Sequence, residues 1–227
     1  DVAKLSRADL AACLATGGTG STTVAATMIC AARAGIGVFA TGGIGGVHRG
    51  VSDTFDISAD LTELSQTPVT VVCAGAKAIL DIPKTLEKLE TLGVPVIAFG
   101  QDAFPAFWSA DSGLPAPLRM DCPTRIARAH QMRAALGLPG GQLVGNPIPQ
   151  DAEIPRETLE PLIAAAQSEA TDQGITSKAV TPFLLRRISE LTSGASLTAN
   201  VALIHANARL AARIAIAAKT IPEPPEL

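Results

Sequence analysis

The segment from Val69 to Gly100 constrains the fold most. Two apolar runs, VTVVCAG and VPVIAFG, flank AILDIPKTLEKLETLG, whose Leu86, Leu89 and Leu92 recur at helical spacing. Two strands joined through a helix of that length lie parallel, because a parallel pair needs a long crossover. A parallel sheet is covered on both faces. The expected fold class is therefore α/β: a single three-layer α/β/α domain with a mostly parallel sheet over residues 1–221, followed by a Pro-rich tail at 222–227.

The rest of the chain fits that plan. Ser6-Arg7-Ala8-Asp9 is a capping-box start for a helix reaching about Ala15. A glycine-hydroxyl loop, TGGTGSTT, precedes the small-residue helix VAATMICAARAG, which Gly35 closes. The short strand IGVFAT runs into a second glycine loop, GGIGGVHRG, and Ser58 to Leu64 reads as a short helix. Lys77 is expected to open the helix that follows VTVVCAG. Residues 101–122 form a loop-rich excursion. Helices are expected at about 123–137, 155–173, 181–193 and 197–219, with the strand QLVGNPIP at 142–149. No internal repeat or low-complexity linker divides the chain.

Composition excludes some functions. Apolar residues make up 47% and charged residues 17%, which is globular rather than disordered. A net charge of −3 with no basic run argues against a dedicated nucleic-acid or anionic-membrane surface. Tyrosine is absent and aromatics are 3%, which leaves little for stacking single-stranded nucleic acid. No apolar stretch is expected to reach the length of a membrane span, and no leader is seen. Cys13, Cys30, Cys73 and Cys122 show no metal spacing and read as free thiols in a reducing compartment.

Ligands of open α/β sheets gather at the carboxyl ends of the strands, and four polar clusters map there. The Thr16–Thr23 loop is either a structural turn or a phosphate cradle of backbone N–H groups. In HRGVSDTFDISAD, the acids Asp53, Asp56 and Asp60 crowd around Ser58. They are either the capped start of a short helix or a site for a hard divalent cation. Lys77 is either a snorkelling surface lysine or, with its ammonium disfavoured by burial and a helix amino end, a nucleophilic amine. Asn200 either faces solvent or reads a polar ring. His130 and His205 lack metal spacing and are ordinary helix residues.

Taken together, LSRADLAACLATGGTGSTTVAATMICAARAGIGVFATGGIGGVHRG, the SAD triplet, CAGAKAILDI, FPAFW, GNPIP, ITSKAVTPFLL and LTANVALIHANARLAA resemble the pseudouridine-5′-phosphate glycosidase family, indigoidine synthase A-like in fold. The resemblance covers essentially the whole chain. It implies reversible cleavage of the C–C glycosidic bond of pseudouridine 5′-phosphate to uracil and ribose 5-phosphate. In that family the lysine of CAGAK, here Lys77, forms an adduct with C1′, and His48 is a further catalytic position. The family's Mn²⁺ ligand falls on Asp56. Its substrate contacts fall on Lys4, Thr23, Val24, Ser58, Ala59 and Asp60, with Asn200 on the uracil side. Family members are cytoplasmic and resemble homotrimers. Two departures go with the resemblance. The family's amino-terminal segment, with its proton-donating glutamate, precedes the point where this sequence starts, so the expectation is either a separate or disordered piece, such as a companion N-terminal fragment supplying the glutamate, or a chain that is catalytically incomplete. Ala206 stands where the family usually has a second Asn beside Asn207. The neighbouring alternatives are a C-glycosynthase on the same scaffold and a non-catalytic sugar-phosphate-binding subunit.

Overall fold

A computed structural model describes residues 2–175 and 179–222. The sheet at its centre has five strands in the order β3 (Val38–Ala40), β4 (Thr70–Cys73), β7 (Gln142–Gly145), β5 (Val96–Phe99), β6 (Leu118–Met120), all parallel. The two middle strands β4 and β7 are buried along their whole length. That is why Val71, Val72, Cys73, Leu143 and Val144 are apolar on both faces, while the polar Thr70 and Gln142 at the strand starts pair with each other through the Gln142 amide and the Thr70 hydroxyl.

Alternation along these strands divides the core in two. Val71, Cys73 and Leu143 face one side. There they meet Met28 of α2 (Val24–Arg33), Leu61 and Leu64 of α4 (Ala59–Gln66) and Leu89 of α5 (Ile82–Thr91). Val72 and Val144 face the other side, against Ile126 of α6 (Pro123–Ala135) and Leu210 and Ile214 of α9 (Ala195–Thr220). Helices α7 (Arg156–Asp172) and α8 (Val180–Leu191) complete the first layer through Leu159, Ile163, Leu184 and Ile188. The three-layer α/β/α arrangement follows from this strand-by-strand alternation. Apart from the main sheet, β1 (Ala3–Leu5) and β2 (Gly20–Thr22) pair in parallel across α1 (Arg7–Ala15), with Lys4 opposite Ser21. The capping box at Ser6 and Asp9 is formed.

Three expectations need correction. Helix α5 begins at Ile82 and not near Lys77. Asp81 caps it by accepting from the Lys84 N–H at 3.1 Å, and Pro83 sits in its first turn, a stronger start signal than the apolar residues before it. The excursion over 101–122 contains an edge strand, β6, and a single helical turn, α3 (Val51–Thr54), lies in the second glycine segment. Finally, α9 has 26 residues and is long and apolar enough, by composition, to cross a membrane. In the fold one side of it is core: Ala199, Leu203, Leu210 and Ile214 are buried, and it packs on α6, β3 and β4. The Pro-rich tail from residue 223 lies outside the described residues.

Candidate active site

The carboxyl ends of β3 and β4 open into loops that need glycine. After β3 the chain runs through Gly42 and Gly43. A Cβ on Gly43 would lie 2.7 Å from the Phe107 ring. After β4, Gly75 takes φ +94° with its Cα against the Pro105 carbonyl, a close approach open only to glycine. Asn146, just after β7, donates to Asn207 Oδ1 at 3.0 Å, and Asn207 donates on to the Thr41 carbonyl at 2.8 Å. Helix α9 is thereby tied to the mouths of two strands. Ala206, half-buried, does not line the cavity these loops enclose.

That cavity has a volume of about 1390 Å³, and all ten residues that the family resemblance implies line it, whereas Asp53 of the acidic cluster does not. Lys4, Thr23 and Val24 come from the β1–β2 side, and His48, Asp56, Ser58, Ala59 and Asp60 from the second glycine segment and the start of α4. Lys77 follows β4, and Asn200 sits in the second turn of α9.

Lys77 is held by its backbone, which donates to the Ile44 carbonyl at 3.1 Å and accepts from the Leu80 N–H at 3.0 Å. Among the described residues no carboxylate lies in ion-pair contact with Nζ. Burial pushes its ammonium below the ordinary lysine range; attraction to Asp60 opposes this and repulsion from Lys4 adds to it. The helix amino end invoked from the sequence plays no part, because α5 starts five residues later. Burial likewise lowers His48, with Asp56 pulling the other way and Lys77 and Lys4 reinforcing it. At neutral pH the cavity therefore holds a neutral imidazole and an amine that binds its proton less tightly than an exposed lysine does.

Asp60 is almost fully buried, and both of its oxygens are engaged. Oδ1 accepts from the Ala25 N–H at 2.8 Å and Oδ2 from the Gly45 N–H at 2.7 Å. It joins the start of α2 to the glycine loop. Ser58 caps α4 by accepting from the Asp60 N–H at 3.2 Å. The amide cradle considered for the Thr16–Thr23 loop is largely spent where that loop meets α2. Thr23 N–H goes to the Leu5 carbonyl, Ala25 N–H to Asp60, and Ala26 N–H to the Thr23 hydroxyl. The residues that line the cavity there are Lys4, Ser21, Thr22, Thr23 and Val24 at the start of α2, with the Thr22 hydroxyl accepting from Thr27 and that of Thr23 from the Ala26 N–H.

For a divalent cation the protein offers little. Asp56 Oδ2 lies 3.9 Å from His48 Nδ1, and among the described residues no cluster of three His, Cys, Asp or Glu side chains is gathered. The Asp56 carboxylate is partly exposed to the cavity. The donor set suits a metal held by one carboxylate with water and substrate oxygens for the rest, an arrangement hard cations accept.

Asn200 differs from expectation. Its Oδ1 is not free, because the Trp108 indole N–H donates to it at 2.8 Å. Sequence reasoning had no role for Phe107 and Trp108 of the FPAFW run, yet Phe107 lines the cavity and Trp108 stands directly behind it. The available signal was compositional: the only tryptophan of the chain sits beside a phenylalanine in a sequence without tyrosine.

Comparison with known proteins identifies the family. The model of a family described as indigoidine synthase A like protein matches residues 1–217. Pseudouridine-5′-phosphate glycosidase of Jannaschia sp. (strain CCS1) is 75% identical over 219 residues, covering 96% of this chain and 72% of the relative. The enzyme of the same name from Paracoccus denitrificans (strain Pd 1222) is 72% identical with the same coverage. Among solved structures, the prealnumycin C-glycosynthase AlnA in complex with ribulose 5-phosphate matches with a TM-score of 0.90 at 40% identity, covering 96% of this chain and 72% of that one. An indigoidine synthase A-like protein of Thermotoga maritima MSB8 matches with a TM-score of 0.88 at 36% identity, covering 96% and 71%.

Proposed function

The chain belongs to the indigoidine synthase A like protein family, and on that footing we propose that it cleaves the C–C glycosidic bond of pseudouridine 5′-phosphate to uracil and ribose 5-phosphate. The observation that carries this reading is Lys77: a cavity-lining amine with a lowered proton affinity and no ion-pair partner among the described residues. A carbon–carbon bond offers no leaving oxygen to protonate, so a pair of carboxylates does not suffice. A neutral amine does what they cannot.

In this mechanism the Nζ lone pair attacks C1′ as the ring C1′–O4′ bond breaks; O4′ gains a proton and nitrogen sheds one. His48, neutral at pH 7, receives the proton that Nζ sheds. The nitrogen lone pair then forms C1′=N while the C1′–C5 bond breaks. Its electron pair goes to C5 of the base, which takes a proton and leaves as uracil. Water adds to the C1′=N bond and releases ribose 5-phosphate and the free amine. Lys4 and the segment at residues 21–24 hold the 5′-phosphate. A divalent cation such as Mn²⁺, when bound at Asp56, supplies positive charge that orders hydroxyls and water. The same reading carries a cytoplasmic homotrimer, for which exposed Leu197, Val201 and Ile204 on α9 offer apolar area to cover.

The test is uracil release from pseudouridine 5′-phosphate, with Lys77→Ala and Lys77→Arg as controls. Arginine stays protonated and cannot attack. Both variants are expected to fold and to lose turnover, and peptide mapping after exposure of the parent chain to ribose 5-phosphate should place added mass on residues 70–84. Full activity in Lys77→Ala sinks the mechanism. The second reading is a C-glycosynthase, favoured by the likeness to the prealnumycin enzyme. Turnover with aromatic acceptors in place of uracil would establish it.

A further inference from the structure

We propose that Trp108 locks Asn200 as a hydrogen-bond donor, so that the cavity selects a base with a carbonyl, and not an amine, at the edge that Asn200 meets. This rests on the functional reading above. Trp108 is fully buried, and an indole nitrogen can only donate. Its N–H lies 2.8 Å from Asn200 Oδ1. Turning the Asn200 amide over would set NH₂ against N–H and leave the buried indole without an acceptor, so the amide has one orientation. Oδ1 faces the indole and Nδ2 faces away. Asn200 is half-buried and lines the cavity, and its Nδ2 has no partner among the described residues. A ligand there meets the two N–H donors of Nδ2, while Oδ1 is turned toward the indole.

The indole cannot easily follow a wrong ligand. Its backbone carbonyl accepts from the Ile154 N–H at 2.9 Å, and the preceding Phe107 N–H donates to the Ala74 carbonyl at 2.7 Å. Phe107 has a left-handed backbone, φ 66°, and its ring packs on Trp108 with centroids 4.9 Å apart. A Cβ on Gly42 would stand 3.6 Å from the Phe107 ring. The two aromatic residues divide the work. Phe107 offers apolar surface to a planar ring, and Trp108 behind it sets which way Asn200 points. Trp108 is thus a positioning residue, and Asn200 the specificity-determining one.

Uracil carries carbonyls at C2 and C4; isocytosine and cytosine each replace one of them with an amine. One of the two should lose the Asn200 contact and face donor with donor. Affinities are measured by calorimetry in the Lys77→Ala background, which should turn nothing over, in the presence of ribose 5-phosphate. That background should bind uracil at least roughly tenfold more tightly than the mismatched analogue. Asn200→Asp keeps an oxygen for Trp108 and turns a second acceptor to the cavity. It should weaken uracil and recover the rejected amine analogue. Trp108→Phe should weaken uracil roughly tenfold while leaving ribose 5-phosphate affinity unchanged. Because Trp108 is the only tryptophan, one indole N–H resonance reports the contact, and Asn200→Ala should move it upfield and speed its exchange with solvent. If Trp108→Phe does not fold, this resonance and the Asn200→Asp crossover carry the test. Equal binding of all three bases, uracil affinity kept in Asn200→Asp, or an unmoved resonance overturns the proposal. The base preference together with a parent chain that does not cleave pseudouridine 5′-phosphate supports it and overturns the functional reading instead.

Discussion

At Lys77 the governing quantity is the cost of keeping an ammonium away from water. Burial is the largest influence on it, larger than the attraction of Asp60, so its proton affinity in the folded chain lies below the ordinary value of 10.5. Between those two values the unfolded chain holds more protons than the folded one. Stability therefore rises with pH through that window, and the penalty is fully present below the folded value. Lys77→Met should accordingly be inactive yet melt at a higher temperature than the parent at pH 7, with the gap closing as pH approaches 10.5; melting curves across pH check this. The parent's kcat/KM should rise with pH along the same titration. A second residue-scale prediction concerns Asp56. With one carboxylate offered to the cation, Asp56→Asn should lower activity at least roughly tenfold, in line with lost charge-assisted contacts, and excess Mn²⁺ should restore part of it. Activity of that variant unchanged in chelator would falsify the assignment.

Among the elements, Asp60 is the staple that seats α2 and α4 on the glycine loop. In Asp60→Asn one amide oxygen serves one N–H, and the NH₂ opposes the other. The expected loss is about 1–3 kcal/mol of stability, the cost of a buried donor left unpaired, read from urea denaturation. Gly45→Ala should be at least as damaging, since its Cβ would overlap the Ser58 hydroxyl. These contacts also show what could be read in advance. VTVVCAG and VPVIAFG announced parallel strands because their burial on both faces is written locally in apolar runs. The cavity residues were legible as clusters because strand ends and glycine loops mark where ligands sit. The start of α5 was missed because the apolar residues after Lys77 outweighed a cap, Asp81 with Pro83, that was in plain view. The pairings of Asp60 with Ala25 and Gly45, and of Trp108 with Asn200, span 35, 15 and 92 residues. No local pattern encodes such contacts; only the folded sheet brings them together.

At the scale of the whole molecule, one cavity draws on residues from Lys4 to Asn200, so a ligand that fills it braces most of the chain. Pseudouridine 5′-phosphate should raise the melting temperature well above the effect of pseudouridine at equal concentration, since the proposed function assigns its phosphate to Lys4 and the segment at residues 21–24. Equal shifts would remove the phosphate subsite. Cys73 adds a clock to this picture. It ends β4, beside the central strand, wholly buried, and burial pushes its thiol up to about 12. Cys30 is exposed and Cys13 and Cys122 are partly so. An alkylating reagent near neutral pH should therefore attach three labels promptly and the fourth only when the middle of the sheet opens. The waiting time for that last adduct, counted by mass spectrometry, measures how often the catalytic floor comes apart, and bound substrate should lengthen it.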